Sequence, residues 1–205
     1  MSLRLKVSVA CLFAAGACFG ATQTWYDAGS GVWSLADLNW DAGTAAWVNG
    51  NSALFQGAGG TVTVSGTNTI GALSVDTDGY VLAEGTDGSL VFALNEARIN
   101  VASGKTVTVS ARLTGSCTFM KTGLGTLRLA GTNDLPGGCT VSAGTLQLSP
   151  NNSYALQRDF NIYDGGTLDL NGCYAATPDA TLWGHLNGTG WDGSGCLVNT
   201  GAGHI

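Results

Sequence analysis

A chain of 205 residues is long enough for one domain or one stretch of a solenoid. Its 32 glycines follow no three-residue period, which excludes collagen, and a hydrophobic fraction of 44% excludes wholesale disorder. The net charge of −6 is scattered over a chain with only 11% charged residues and no Lys/Arg cluster, which excludes a nucleic-acid groove and a face for anionic lipid.

Residues 1–20 read as an export signal. Arg4 and Lys6 give a basic start, Val7 to Phe19 is an apolar run too short to span a bilayer, and Gly20 supplies the small residue for cleavage. The alternative is a lipoprotein signal ending at Cys18, but Ala15 stands where a branched residue is usual. No second apolar stretch approaches membrane length, so no transmembrane helix is expected in the mature chain.

Residues 21–58 carry Trp25, Trp33, Trp40 and Trp47 at intervals of seven or eight, separated by Gly, Asn and Asp. Such turn formers favour short strands or hairpins over a helix. The tryptophans have two readings. They form an N-terminal cap over the first apolar layer of a solenoid, or their ring faces form a glycan-stacking platform.

From residue 59 the chain is strand after strand. Gly60-Thr-Val-Thr-Val64, Gly71-Ala-Leu-Ser-Val75, Tyr80-Val-Leu82, Ser89-Leu-Val-Phe92 and Thr106-Val-Thr-Val109 alternate or are β-branched, with Gly and Asx turns between them. Leu94 to Ile99 is the one segment that admits a helical turn. The phrase after Gly60 returns after Gly104, 44 residues on. A second phrase, Gly-Thr-Leu-x-Leu, begins at Gly125, Gly144 and Gly166, at spacings of 19 and 22 residues. One such unit cannot bury its own leucine row. Coiling the chain stacks each leucine on its equivalent about 4.8 Å away. The expected fold is all-β: a parallel β-helix, or β-solenoid, over residues 59–205. An antiparallel β-sandwich also uses many short strands, but it does not demand the same phrase at a fixed spacing. The pattern is still running at Ile205, as in an incomplete passenger.

Lys121 to Leu148 resembles the autotransporter-associated β-strand repeat of bacterial passenger domains. The resemblance rests on Lys121, Gly123, Gly125, Thr126, Leu127, Leu129, Gly131, Asn133, Gly137, Gly138, Thr140, Val141, Gly144, Thr145, Leu146 and Leu148. The chain departs from the pattern at Asp134-Leu135-Pro136 and at Cys139. The resemblance implies a right-handed β-helix exported to the cell surface or secreted, a scaffold or adhesin-like passenger, and no activity of its own. Its partners would be extracellular glycans or cell-surface components.

The chemical inventory is thin. No catalytic triad, cofactor motif or zinc spacing is present, and Asp76-Thr77-Asp78-Gly79 lacks the rest of a calcium loop. Neither catalytic residues, a metal nor a cofactor is expected. A polysaccharide-active enzyme would have to draw on Asp164 and Asp169, which flank one strand, with Arg128 about two coils away. Beyond the signal the cysteines are Cys117, Cys139, Cys173 and Cys196. The gaps of 22 and 23 residues make Cys117–Cys139 and Cys173–Cys196 candidate disulfides between coils, with free core thiols as the alternative.

Overall fold

A computed structural model describes residues 20–26, 29–92, 96–115, 118–149, 160–173 and 184–201. They form strands, turns and loops, without a helix among them. The first passage of the chain contributes β1 (Thr22–Thr24) and β2 (Gly31–Trp33). Three coils of three strands follow: β3 (Ser52–Phe55), β4 (Thr61–Val64) and β5 (Thr67–Ile70); β6 (Ala72–Val75), β7 (Tyr80–Glu84) and β8 (Ser89–Phe92); β9 (Glu96–Val101), β10 (Thr106–Val109) and β11 (Arg112–Thr114). The next coils contribute two strands each: β12 (Thr118–Thr122) and β13 (Thr126–Leu129); β14 (Cys139–Val141) and β15 (Gly144–Leu148); β16 (Phe160–Ile162) and β17 (Gly166–Asp169); β18 (Gly184–Leu186) and β19 (Leu197–Val198).

Each strand of a coil joins a different sheet. One sheet runs β1-β3-β6-β9-β12-β14-β16-β18, a second β2-β4-β7-β10-β13-β15-β17-β19, and a third β5-β8-β11. Every pairing between these strands is parallel. The fold is therefore a parallel β-solenoid, and the antiparallel sandwich is ruled out. Among the described residues, antiparallel contact is confined to two isolated bridges, Trp25 with Trp40 and Trp40 with Ala45.

The register follows the leucine phrase. Thr126 pairs with Thr145 and Thr145 with Thr167, while Leu127, Leu146 and Leu168 stack in the core. The Thr-Val-Thr-Val phrases also share a sheet two strands apart, but they are slid by two residues. Val62 pairs with Leu82, and Leu82 with Val109 instead of Val107. An even slip keeps the valines on the inner face, because strand side chains alternate with period two. Of the segment Leu94 to Ile99, where a helical turn was admitted, Leu94 and Asn95 lie outside the described residues, and the rest is corrected to strand within Glu96–Val101. There Ala97, Ile99 and Val101 are buried, and Ile99 pairs with Lys121. That alternation suits a half-buried strand.

Glycine makes the coil-to-coil approach possible. Gly144 has φ +65°, and a Cβ there would run into the carbonyl oxygens of Gly123 and Gly125 on the preceding coil. Only a residue without a Cβ adopts that conformation at that distance without strain.

Candidate functional site

Trp25, Trp33, Trp40 and Trp47 converge at the N-terminal end of the stack. Ring centroids are 5.1 Å apart for Trp25–Trp40, 4.9 Å for Trp33–Trp40, 5.0 Å for Trp33–Trp47 and 4.7 Å for Trp40–Trp47. Phe55 lies against Trp25, Trp33 and Trp40, and continues the cluster to Tyr80. Several pairs meet edge to face, which sets the positive ring edge against the negative face of its neighbour. The Trp47 indole N–H donates to the Thr69 carbonyl at 3.1 Å, whereas those of Trp25, Trp33 and Trp40 have no hydrogen-bond acceptor.

The four indoles are only 0 to 3% exposed. Their faces are covered by one another and by Phe55, so in this packing none of the four presents the open ring face that sugar stacking uses. The spacing of the tryptophans was visible in the sequence; their burial was not. Among the described residues, the aromatic rings open to solvent belong to Tyr26, Tyr163 and Trp191.

Asp164 and Asp169 do not converge. Asp164 lies in the turn before β17 and Asp169 at the far end of that strand. Asp169 instead ends a polar ladder on the second sheet, one rung per coil. Arg128 Nε donates to Gln147 Oε1 at 2.6 Å, and Gln147 Nε2 donates to Asp169 Oδ2 at 2.7 Å. The Thr200 hydroxyl and amide and the Asn171 amide also donate to Asp169. Burial pushes the carboxyl upward, but the Gln147, Thr200 and Asn171 hydrogen bonds outweigh it and hold it below its ordinary value. A carboxylate with its oxygens so engaged is an anchor for the coil. Among the described residues no His/Cys/Asp/Glu group is arranged to hold a metal ion.

Cys117 lies outside the described residues. The parallel register places Phe119 beside Cys139, and Phe160 on its other side. Cys139 is a free, buried thiol, and burial pushes it up to about 12. Leu168 pairs with Leu197, so Cys196 falls opposite Thr167, six residues before Cys173. The Cys173 thiol donates to the Ser149 carbonyl at 2.7 Å. The gap of 23 residues therefore does not place Cys173 and Cys196 at equivalent positions on neighbouring coils.

Two polar residues of the repeat play roles that composition does not reveal. Asn133 is buried; its Oδ1 accepts from the Leu113 amide at 3.0 Å and its Nδ2 donates to the Gly131 carbonyl at 3.0 Å. It thereby ties one coil to the next where strand pairing lapses. Lys121 is 0% exposed, within the inner column Leu73–Ile99–Lys121–Val141–Ile162. Strict alternation along β12 is the signal that places it inside: Phe119 and Lys121 point in, between Thr118, Met120 and Thr122.

The stacked coils and their repeat define a class: a parallel β-solenoid carrying a passenger repeat, since residues 119–148 match the family described as Passenger-associated-transport-repeat. The likeness read from Lys121 to Leu148 is thereby shown. The whole chain is also similar to the Adhesin BmaC autotransporter of Brucella suis biovar 1 (strain 1330), 31% identical over 223 residues. The alignment covers 100% of this chain but 6% of that protein, so the chain spans a small part of its relative's length. No solved structure gives a significant match.

Proposed function

We propose that this chain is a segment of an exported passenger and serves as a non-catalytic, adhesin-like scaffold at the cell surface or in the secreted fraction. The observation that carries this reading is the uninterrupted stack of parallel coils in a chain similar along its whole length to an adhesin autotransporter. A solenoid suits the role because it extends by adding coils, and its outer faces vary while the core column repeats. On this reading residues 1–20 are the export signal, residues 21–58 cap the stack through the tryptophan cluster, and residues 59–205 are the coils. The partners are cell-surface components. Glycans remain among them only through surfaces other than the four buried tryptophans.

Two measurements test the proposal. Fusing residues 1–20 to a reporter active only after export should give signal outside the cytoplasm; a cytoplasmic reporter would remove the export reading. Beads coated with residues 21–205 should attach to epithelial cells more than beads coated with the same chain after heat denaturation. Equal attachment would remove the adhesin reading and leave a passive scaffold.

A further inference from the structure

The last described coil departs from its neighbours at one corner. Two residues join β14 to β15 and three join β16 to β17, whereas ten, residues 187–196, join β18 to β19. In a stacked repeat, insertions at one corner often build the binding face. Four of the ten residues are glycines, and the one aromatic side chain is Trp191, 44% exposed. Tyr163, 52% exposed, opens the corresponding turn of the coil before, where its amide donates to the Val141 carbonyl as the Asn187 amide does to that of Ile162. Two stacked corners thus each present an aromatic ring to solvent.

The loop is tied down beneath its tryptophan. The buried Thr167 hydroxyl on β17 donates to the Gly195 carbonyl at 3.2 Å and accepts from the Trp191 amide at 3.3 Å. The Gly195 amide donates to the Thr189 carbonyl at 2.7 Å. A Cβ on Gly188 would run into Asp164, so the loop rests directly on the Tyr163 turn. A ring carried on a backbone fixed in this way loses little conformational freedom on binding. Polar groups surround the two rings: Thr189, Asp192 and Ser194 in the loop and Asp164 beside Tyr163 are all exposed. The Ser194 hydroxyl and amide donate to Asp192 Oδ1 and hold its carboxyl below its ordinary value.

We propose, resting on the surface-passenger reading, that Trp191 and Tyr163 form a binding surface for a neutral glycan, with sugar rings laid on the two aromatic rings. A pyranose has C–H groups on its faces and hydroxyls around its edge. Its faces match open aromatic rings, and its hydroxyls match the donors and acceptors that surround them. Charge selects against acidic sugars. Asp164 and Asp192 accept hydrogen bonds from hydroxyls but repel sulfate and carboxylate, and residues 159–205 contain no Lys or Arg to pair with an anion. A protein partner is the poorer fit, because the core of such an interface is a continuous apolar patch and these rings stand among polar groups.

The test is an array of neutral oligosaccharides of β-linked glucose, galactose and N-acetylglucosamine, printed beside sulfated and sialylated forms. The exported chain, residues 21–205, should bind neutral members and bind the acidic forms less. Trp191→Ala should weaken that binding at least about tenfold, the scale of losing an aromatic anchor, and Tyr163→Ala should weaken it in the same direction. Trp191→Phe keeps a ring and should recover most of the binding. Tyr26→Ala removes an open ring near β1 and should change nothing. Should Trp191→Ala lose the parent's circular dichroism, the contrast between Tyr163→Ala and Tyr26→Ala decides. A parent that binds no neutral glycan, a preference for the acidic forms, or full binding by Trp191→Ala would overturn the proposal. A chain that is exported and attaches to cells but leaves the array bare keeps the passenger reading, loses the glycan surface and assigns attachment to a protein partner.

Discussion

Trp40 makes ring contacts with Trp25, Trp33, Trp47 and Phe55 and is fully buried. Trp40→Ala should therefore cost about 3–5 kcal/mol in urea unfolding, the range for deleting a large buried aromatic side chain. A cost below 1 kcal/mol would mean that the cluster is loosely packed. Asp169 makes the opposite kind of contribution, through charge. Its carboxyl is held below its ordinary value, so its stabilisation is complete above about pH 4 and is lost as pH falls through the lower native value. Asp169→Asn should be less stable than the parent at neutral pH, and the gap should close in strong acid; an unchanging gap would deny the carboxylate its role. These residues also mark the limit of what was legible in the sequence. The leucine phrase gave the register of β13, β15 and β17 directly, because three copies of one phrase leave little choice of pairing. Burial is a property of neighbours from other coils. Spaced tryptophans looked the same whether stacked on each other or open to a sugar, and Lys121 looked like any surface lysine.

At the scale of the element, the glycine turn and the strand after it divide the work. Gly144 carries φ +65° against the backbone of the preceding coil, and Leu146 fills the core two residues later. Gly144→Ala should lower the melting temperature, with roughly 1–3 kcal/mol for the left-handed backbone alone. Leu146→Ala should cost about 2–5 kcal/mol through the cavity it leaves between Leu127 and Leu168. Gln147→Ala, on the outer face, should cost about 0.5–1.5 kcal/mol for its hydrogen bonds to Arg128 and Asp169. A ranking with Gln147 first would mean that the outer ladder, and not the leucine column, sets the coil. The same division explains the slipped Thr-Val-Thr-Val phrases. Alternation fixes which face of a strand is buried, but it cannot distinguish a register from one displaced by two, and the turns between Val64 and Thr106 differ in length from those after Gly125. The strand at Glu96–Val101 was ambiguous for a related reason: its six residues are too few for either period to dominate without the neighbours Leu73 and Lys121.

At the scale of the whole molecule, a coil touches chiefly the coils before and after it, so damage should spread by neighbour contact and not through a shared centre. The tryptophan cluster covers the end formed by β1 and β2, and Phe55 carries its contacts on to Tyr80. Trp33→Ala should therefore raise amide exchange in β1 through β4 and in β7, while β13, β15 and β17 keep their protection. Leu146→Asp places a charge in the middle of the leucine column and should open the coils on both sides of β15, leaving β3 and β6 protected. Hydrogen exchange followed by mass spectrometry reads both patterns in one experiment. Uniform loss of protection in either variant would mean that the solenoid unfolds as a single cooperative unit. A chain that opens coil by coil can also rebuild its stack from one end. The packed aromatic end offers a starting layer on which the apolar column from Phe55 and Leu73 onward can be laid down.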